Sequence, residues 1–438
     1  VSFVHSSFFS CYIITGIDGW SWLNSNEFLV QRAGAAVRQM ASRVDMVDPI
    51  SPRELSSADI LTNVSALAPE IQSRGDEIAM SRRLPADLVL KLKTAGVFRM
   101  AMPKEWGGPE MTPREQCAVY ETLGAADASV AWCVKIGSDG GFFVGFLEET
   151  AARALYTSLD AVTAGQVPPN GTAERVAGGY RVSGRWTFGS GSTHADVIIG
   201  GCIVTEGGRP VLERNAPMQR LMLAPASKFQ SIDTWHSTGL AGSGSNDYAT
   251  KDLFVPEGHM LASDPTPTRS APLYCYFGMF LSSWHGIALG LARRAIDAAL
   301  AVAEKKIHIF PPPPTLLRNR PHARVALAKA EMELGAARAF TYGTIDRIWD
   351  DAQQHGRVSA ENRRAMALSL SHAFRTGRLI AQSMYDLVGP TAVYATKTPL
   401  DRLLRDAITM SQHLLLADSF LEIVGGTIVG DESPISWL

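Results

Sequence analysis

The chain has 438 residues, 46% of them hydrophobic and 19% charged, with a formal charge of −2. That length buries a large core and predicts two or three domains, and the near-neutral balance argues against nucleic-acid binding as the main role. No run of eighteen or more uncharged apolar residues occurs, which argues against a membrane-spanning helix.

Residues 1–56 open with the apolar run VSFVHSSFFSCYIITGIDGW, which has neither the basic start nor the cleavage site of a secretory signal. They are read as an extension outside the fold. Residues 57–160 repeat apolar positions at spacings of three and four, interrupted by the Pro/Gly turn MPKEWGGPEM, and predict a helical domain. Within it lies the segment Asp127-Ala128-Ser129-Val130-Ala131-Trp132, whose tryptophan fits the apolar pattern of a core position. The five cysteines show no C-x-x-C pair and no histidine partner at ligand spacing, so no metal site is expected. Reduced thiols in a cytoplasmic protein are the expectation.

Residues 161–262 change to short β-type runs separated by glycine and predict an antiparallel β-domain. One strand alternates Tyr180, Val182, Gly184, Trp186 and Phe188 and ends in Gly189-Ser190-Gly191, where backbone amides can approach a flat ligand. A glycine- and serine-rich loop holding Trp235 and Ser243 follows, without the G-x-G-x-x-G pattern of a Rossmann site. Residues 263–438 return to long helices, predicted at 286–306, 323–353, 360–388 and 398–424, which form a four-helix bundle most economically. The proline-rich stretch 309–321 joins the first two. In the last helix Arg402, Asp406, Thr409 and His413 recur at four, three and four, which places them on one face. An apolar helix carrying such a stripe needs partners for it, because an unpaired buried polar group costs about 1–3 kcal/mol.

The order helical domain, β-domain, four-helix bundle resembles the α+β fold of the acyl-CoA dehydrogenase superfamily. Arg405-Asp406-Ala407 is similar to the run that precedes the catalytic glutamate there, but Ser411 stands where many dehydrogenases carry that glutamate. His413, eight residues after Arg405, resembles instead the oxygenase components of two-component flavin-dependent monooxygenases. In that branch a run similar to Trp186-Thr187-Phe188-Gly189-Ser190-Gly191 lies against the flavin, with the serine near N5. The resemblance implies reduced flavin (FMNH2 or FADH2) bound by Trp186, Phe188, Gly189, Ser190, Gly191, Trp235 and Ser243. It implies O2 as co-substrate, a C4a-hydroperoxyflavin, and a small, aromatic substrate in a pocket of Trp132, Thr409 and His413. His413 and Ser190 are the catalytic candidates, the histidine as a group titrating near neutrality. Several relatives carry a further histidine on the helix of Trp132, and this chain has Ser138-Asp139-Gly140-Gly141 in that region. The implied partners are a separate NAD(P)H-dependent flavin reductase and three further copies in a homotetramer. The alternatives are an acyl-CoA dehydrogenase with a relocated base, an N-oxygenase of an amino sugar, and a non-catalytic flavin-binding protein.

Overall fold

The computed structural model describes residues 54–435 and 438. Most of the expected N-terminal extension lies outside the described residues, but Leu55 is already buried in the core. Ser56 caps the first helix, α1 (Ser57–Ser73), in a capping box with Asp59. Helices α2 (Gly75–Ser81) and α3 (Ala86–Ala95) follow, and α3 ends at Gly96 in the left-handed conformation. Helix α4 (Pro113–Ala126) starts with a second capping box, Thr112 with Glu115, and has proline at its first position. Asp127 ends α4 and caps α5 (Ala128–Val144) by accepting from the Ser129 and Val130 amides. A short α6 (Glu149–Leu155) leads into the sheet.

The strands are β1 (Thr163–Val176), β2 (Gly179–Gly189), β3 (Val197–Glu206), β4 (Gln219–Pro225), β5 (Gln230–Ile232), β6 (Asn246–Pro256) and β7 (Met260–Ala262). They form one sheet in the order β7-β4-β3-β1-β2-β6-β5, with the two-residue strand Arg209–Pro210 added on β3. The expected antiparallel sheet needs one correction: β1 and β3 run parallel, Thr163 opposite Val197, with a register shift between Gln166 and Gly171. The β1–β2 hairpin puts β2 on one flank of β1, so the chain returns as β3 on the other flank in the direction of β1.

Beyond the sheet lie α7 (His285–Ala303), α8 (Pro321–His355) and α9 (Ala360–Val388). Between α7 and α8, Ile307–His308 pairs with Thr315–Leu316 in a small hairpin. Helix α7 packs so tightly on α4 that a Cβ at Gly286 would lie 2.2 Å from the Cys117 carbonyl oxygen and one at Gly290 2.1 Å from that of Glu121. The expected fourth helix is broken. Helix α10 (Leu400–Met410) stops, a 3₁₀ turn spans Leu414–Leu416, and α11 (Asp418–Val429) follows. His413 takes an extended ψ of 139° and its own Nδ1 accepts the Leu415 N–H at 3.3 Å, so the side chain caps a new turn instead of continuing the old one. The expected four-helix bundle is therefore a helical domain with its last helix in two pieces. No helix among the described residues is long and apolar enough to cross a membrane.

Candidate active site

Three segments from separate parts of the chain meet around Ser190. The end of β2 supplies Ser190 itself, whose hydroxyl accepts the Trp132 Nε1–H of α5 at 3.0 Å. The Ser190 hydroxyl lies 2.7 Å from that of Ser245, which lies 2.7 Å from that of Ser243. The Gly191 N–H donates to the Ser243 carbonyl at 3.0 Å and pins the two loops together. All three serines are buried.

Trp132 stacks on Trp284, just before α7, with ring centroids 5.4 Å apart. The His413 imidazole meets the Trp284 ring edge-on at 4.7 Å and the Trp132 ring at 5.8 Å. Sequence positions 132, 190, 243 and 413 thus converge. Burial, with the nearby Lys135 charge adding to it, holds the His413 pKa down at about 4. The ring is neutral at neutral pH, which corrects the expectation of a group titrating there. Its Nδ1 accepts from Leu415, so its proton sits on Nε2 and is available to donate. Trp284 Nε1 is buried and has no hydrogen-bond partner among the described residues.

Other expected site residues are placed differently. Trp186 is fully buried in the β-domain core, stacked on Tyr248 at 5.5 Å and donating Nε1–H to the Gly201 carbonyl at 2.8 Å. Glycines at 171, 184 and 200 leave room for its indole, since a Cβ at any of them would come within 2.8 Å of that ring. Trp186, expected to lie against a cofactor, is instead packed on all sides within the β-domain core. Gly189 is likewise required by packing, because a Cβ there would lie 2.7 Å from Tyr248. A register shift between Trp186 and Gly189 and a φ of 54° at Phe188 break the alternation and turn the Phe188 ring out, 63% exposed. There it meets Trp235 edge-on at 6.1 Å. Trp235 is held by its Nε1–H donating to the Leu240 carbonyl at 3.0 Å.

The first three members of the α10 stripe have found partners elsewhere in the fold, Arg402 on the N-terminal helices and Asp406 and Thr409 in that loop. Arg402 pairs with Asp127 at 3.3 Å and rests where a Cβ on Gly75 would be, 2.0 Å from it. Asp406 accepts the Leu240 N–H at 2.6 Å. Thr409 lies against Gly239, where an added Cβ would be 2.5 Å from its hydroxyl. His413, beyond the end of α10, is the one member that joins the aromatic cluster. Burial and the neighbouring Asp127 charge push the Asp406 pKa up to about 7.

One pair escaped the sequence reading. Lys135, one turn after Trp132 on α5, is 1% exposed and donates to both oxygens of Asp139 at 2.5 and 2.7 Å. Its ammonium also lies 5.3 Å from the Trp284 ring centre and 5.5 Å from that of Phe280. Burial lowers the Lys135 pKa and raises that of Asp139 to about 6. The signal was present in ASVAWCVKIGSDGGFFV, where a lysine and an aspartate four apart interrupt an otherwise apolar and small-residue helix.

The donor set fits a flavin. A flat ring needs an apolar face and edge donors, and the exposed Phe188–Trp235 corner adjoins the buried serine chain. Two more buried polar atoms in the same turn, Ser192 Oγ and His194 Nε2, have no hydrogen-bond partner among the described residues.

Fold and site together define a flavoprotein built on the acyl-CoA dehydrogenase plan. Residues 61–145 match the acyl-CoA dehydrogenase N-terminal domain and residues 283–418 its C-terminal domain. An indole-3-acetate monooxygenase from Pseudomonas putida is 31% identical over 82% of this chain and 91% of that protein. The oxygenase component of an FADH2-dependent resorcinol hydroxylase from a Rhizobium species is 26% identical over 85% of this chain and 94% of that protein. The crystal structure of the HsaA monooxygenase from Mycobacterium tuberculosis superposes with a TM-score of 0.79 at 24% identity, covering 88% of this chain and 100% of that one. The chain belongs to the acyl-CoA dehydrogenase-like family, within its branch of flavin-dependent monooxygenases. It is an oxidoreductase of that kind, and the dehydrogenase and non-catalytic alternatives fall away.

Proposed function

We propose that this oxygenase receives reduced flavin, as FMNH2 or FADH2, from a separate NAD(P)H-dependent reductase and hydroxylates a small, electron-rich aromatic ring. The observation that carries the reading is the convergence of the Ser190 hydroxyl, the Trp132–Trp284 stack and the neutral His413 imidazole. Bound reduced flavin supplies the activated oxygen from O2. Ser190, Gly191 and Ser243 would hold the flavin edge, and Phe188 and Trp235 would offer it apolar faces. Trp132 and Trp284 keep water from the reacting atoms. His413 donates from Nε2 while remaining uncharged.

A dehydrogenase would need a carboxylate free to take a proton beside the flavin. Asp127, Asp139 and Asp406 are each engaged, by Arg402, Lys135 and the Leu240 N–H. Ser411, at the glutamate position, is bonded to the Ala407 carbonyl of its own helix at 2.7 Å. The indole and resorcinol rings in the names of two relatives are flat and electron-rich, which suits walls of tryptophan better than an amino sugar would. We further infer a homotetramer, on the ground that Met332, Leu379, Ile428 and Val429 leave apolar side chains exposed on the late helices.

Anaerobic titration with reduced and oxidised FMN and FAD, followed by stopped-flow mixing with O2 and an indole or phenol, tests the reading. Tighter binding of the reduced form and a hydroxylated product are expected. Binding of neither form at micromolar concentration, or bleaching of oxidised flavin by an acyl-CoA, would sink it.

A further inference from the structure

Leu240 stands in the left-handed backbone region, with a φ of 49°. That region is disfavoured for a residue with a Cβ, yet a leucine occupies it although glycines stand close by at 239, 242 and 244. Such strain persists only where the surroundings over-determine it, and it gathers at functional sites.

The peptide groups of Leu240 are where those surroundings act. Its N–H donates to the Asp406 carboxylate at 2.6 Å. Its carbonyl accepts the Trp235 Nε1–H at 3.0 Å and the Ser243 N–H at 2.9 Å. One residue thus connects a buried carboxylate on α10 to both loop residues of the candidate site. Ser243 carries the connection onward, through the Ser245 hydroxyl to that of Ser190 and through its own carbonyl to the Gly191 N–H. The loop is also held apart from Asp406. The Asn246 side chain accepts the Thr234 and Trp235 N–H groups at 3.1 and 3.0 Å, and Arg405 donates to the Thr238 carbonyl. What Asp406 adds is therefore the orientation of the Leu240 peptide.

We propose that Asp406 is a positioning residue for the flavin. Acting through Leu240, it sets the Trp235 indole and the Ser243–Ser245–Ser190 hydroxyl chain in the geometry that receives the reduced cofactor. It touches neither flavin nor substrate. A loop fixed before binding loses less of the binding energy to ordering. By linkage, bound flavin steadies Leu240 as much as Leu240 favours the flavin. The inference rests on the reading that the serine cluster binds reduced flavin.

The test is anaerobic titration of reduced FMN and FAD into the parent, Asp406→Leu, Asp406→Asn, Ser243→Ala and the double variant Asp406→Leu/Ser243→Ala. Asp406→Leu has no acceptor and should bind reduced flavin on the order of ten-fold more weakly. Asp406→Asn keeps an acceptor and should stay within about three-fold of the parent. Ser243→Ala should weaken binding several-fold in the parent but less than about two-fold in the Asp406→Leu background, because residues acting through one another are not additive. If Asp406→Leu does not fold, hydrogen exchange of the parent carries the test. Reduced flavin should then slow exchange on the order of ten-fold in peptides spanning residues 233–246. Undiminished binding by Asp406→Leu, an asparagine variant as weak as the leucine one, a Ser243→Ala loss that is absent in the parent or undiminished in the leucine background, or unchanged exchange overturns the proposal while leaving the oxygenase reading standing. A parent that binds no reduced flavin overturns both.

Discussion

His413 shows how burial changes what a side chain can do. With its pKa held at about 4, the imidazole is a fixed hydrogen-bond donor throughout the neutral range. His413→Ala is expected to keep the fold and reduced-flavin binding and to lower the rate of product formation roughly 10²–10³-fold, the usual loss for one positioned donor. Turnover equal to the parent's would show the ring to be structural. The same depressed pKa has a stability consequence. The unfolded chain takes up a proton near pH 6.5 that the folded ring resists, so stability falls as pH drops from about 6.5 towards 4. Thermal unfolding across that window should show a shallower fall in His413→Ala than in the parent. Ser190→Ala removes the acceptor of Trp132 and the link to Ser245. We expect more hydrogen peroxide released per reduced flavin oxidised, and a peroxide assay showing no increase would count against Ser190 as a flavin contact.

At the scale of elements, α10 clamps the loop that carries Trp235 and Ser243. Arg402 holds the Asp127 cap of α5, and Asp406 holds the Leu240 amide. Arg402→Met leaves Asp127 without its guanidinium and is expected to cost roughly 3–5 kcal/mol, read as a drop in Tm. Gly75→Ala should act in the same direction, because the added methyl occupies the place of the guanidinium. Asp406 behaves oppositely to a surface carboxylate. Its folded pKa, about 7, lies above the ordinary 3.8, so ionisation costs stability progressively from about pH 4 to about pH 7; Asp127 is shifted in the same direction, Arg402 opposes the shift of both, and Arg405 that of Asp406. Asp406→Asn retains an acceptor for Leu240 and should lose less stability than the parent over that rise. Parallel unfolding curves across the window would remove Asp406 from the account.

For the whole molecule, the exposed apolar groups of α8, α9 and α11 set the expectation. Met332 is 62% exposed, Leu379 69% and Val429 80%. Single exposed apolar residues are ordinary, but several on the late helices of one domain suit burial against other copies. Light scattering at micromolar concentration should give four times the protomer mass, and a monomer would remove the tetramer. The helical domain, the β-domain and the late helices all bring residues to the cluster around Ser190. The first supplies Trp132 and Lys135, the second Ser190 and the serine loop, and the third Trp284 and His413.

Much of this was legible in the sequence, for local reasons. Helical periodicity and the glycine-punctuated strands are short-range patterns, and α9 falls at residues 360–388 as its pattern predicted. Ser190, Trp132, Ser243 and His413 were also nameable from their motifs, and they lie together. What only the tertiary structure decided is which way each side chain turns and what it meets. A register shift at the end of β2 sends Phe188 outward and leaves Trp186 in the core, because one extra residue exchanges the faces of a strand. His413 left the α10 stripe because its own imidazole caps the next turn, a choice that helical spacing does not register. The direction of β3 beside β1 depends on the path of the chain, and local alternation is the same in parallel and antiparallel strands. The enclosure of Lys135 and Asp139 depends on Phe280 and Trp284, more than 140 residues away in the chain. Desolvation, which sets the charge states of His413, Asp139 and Asp406, exists only once those distant segments have packed.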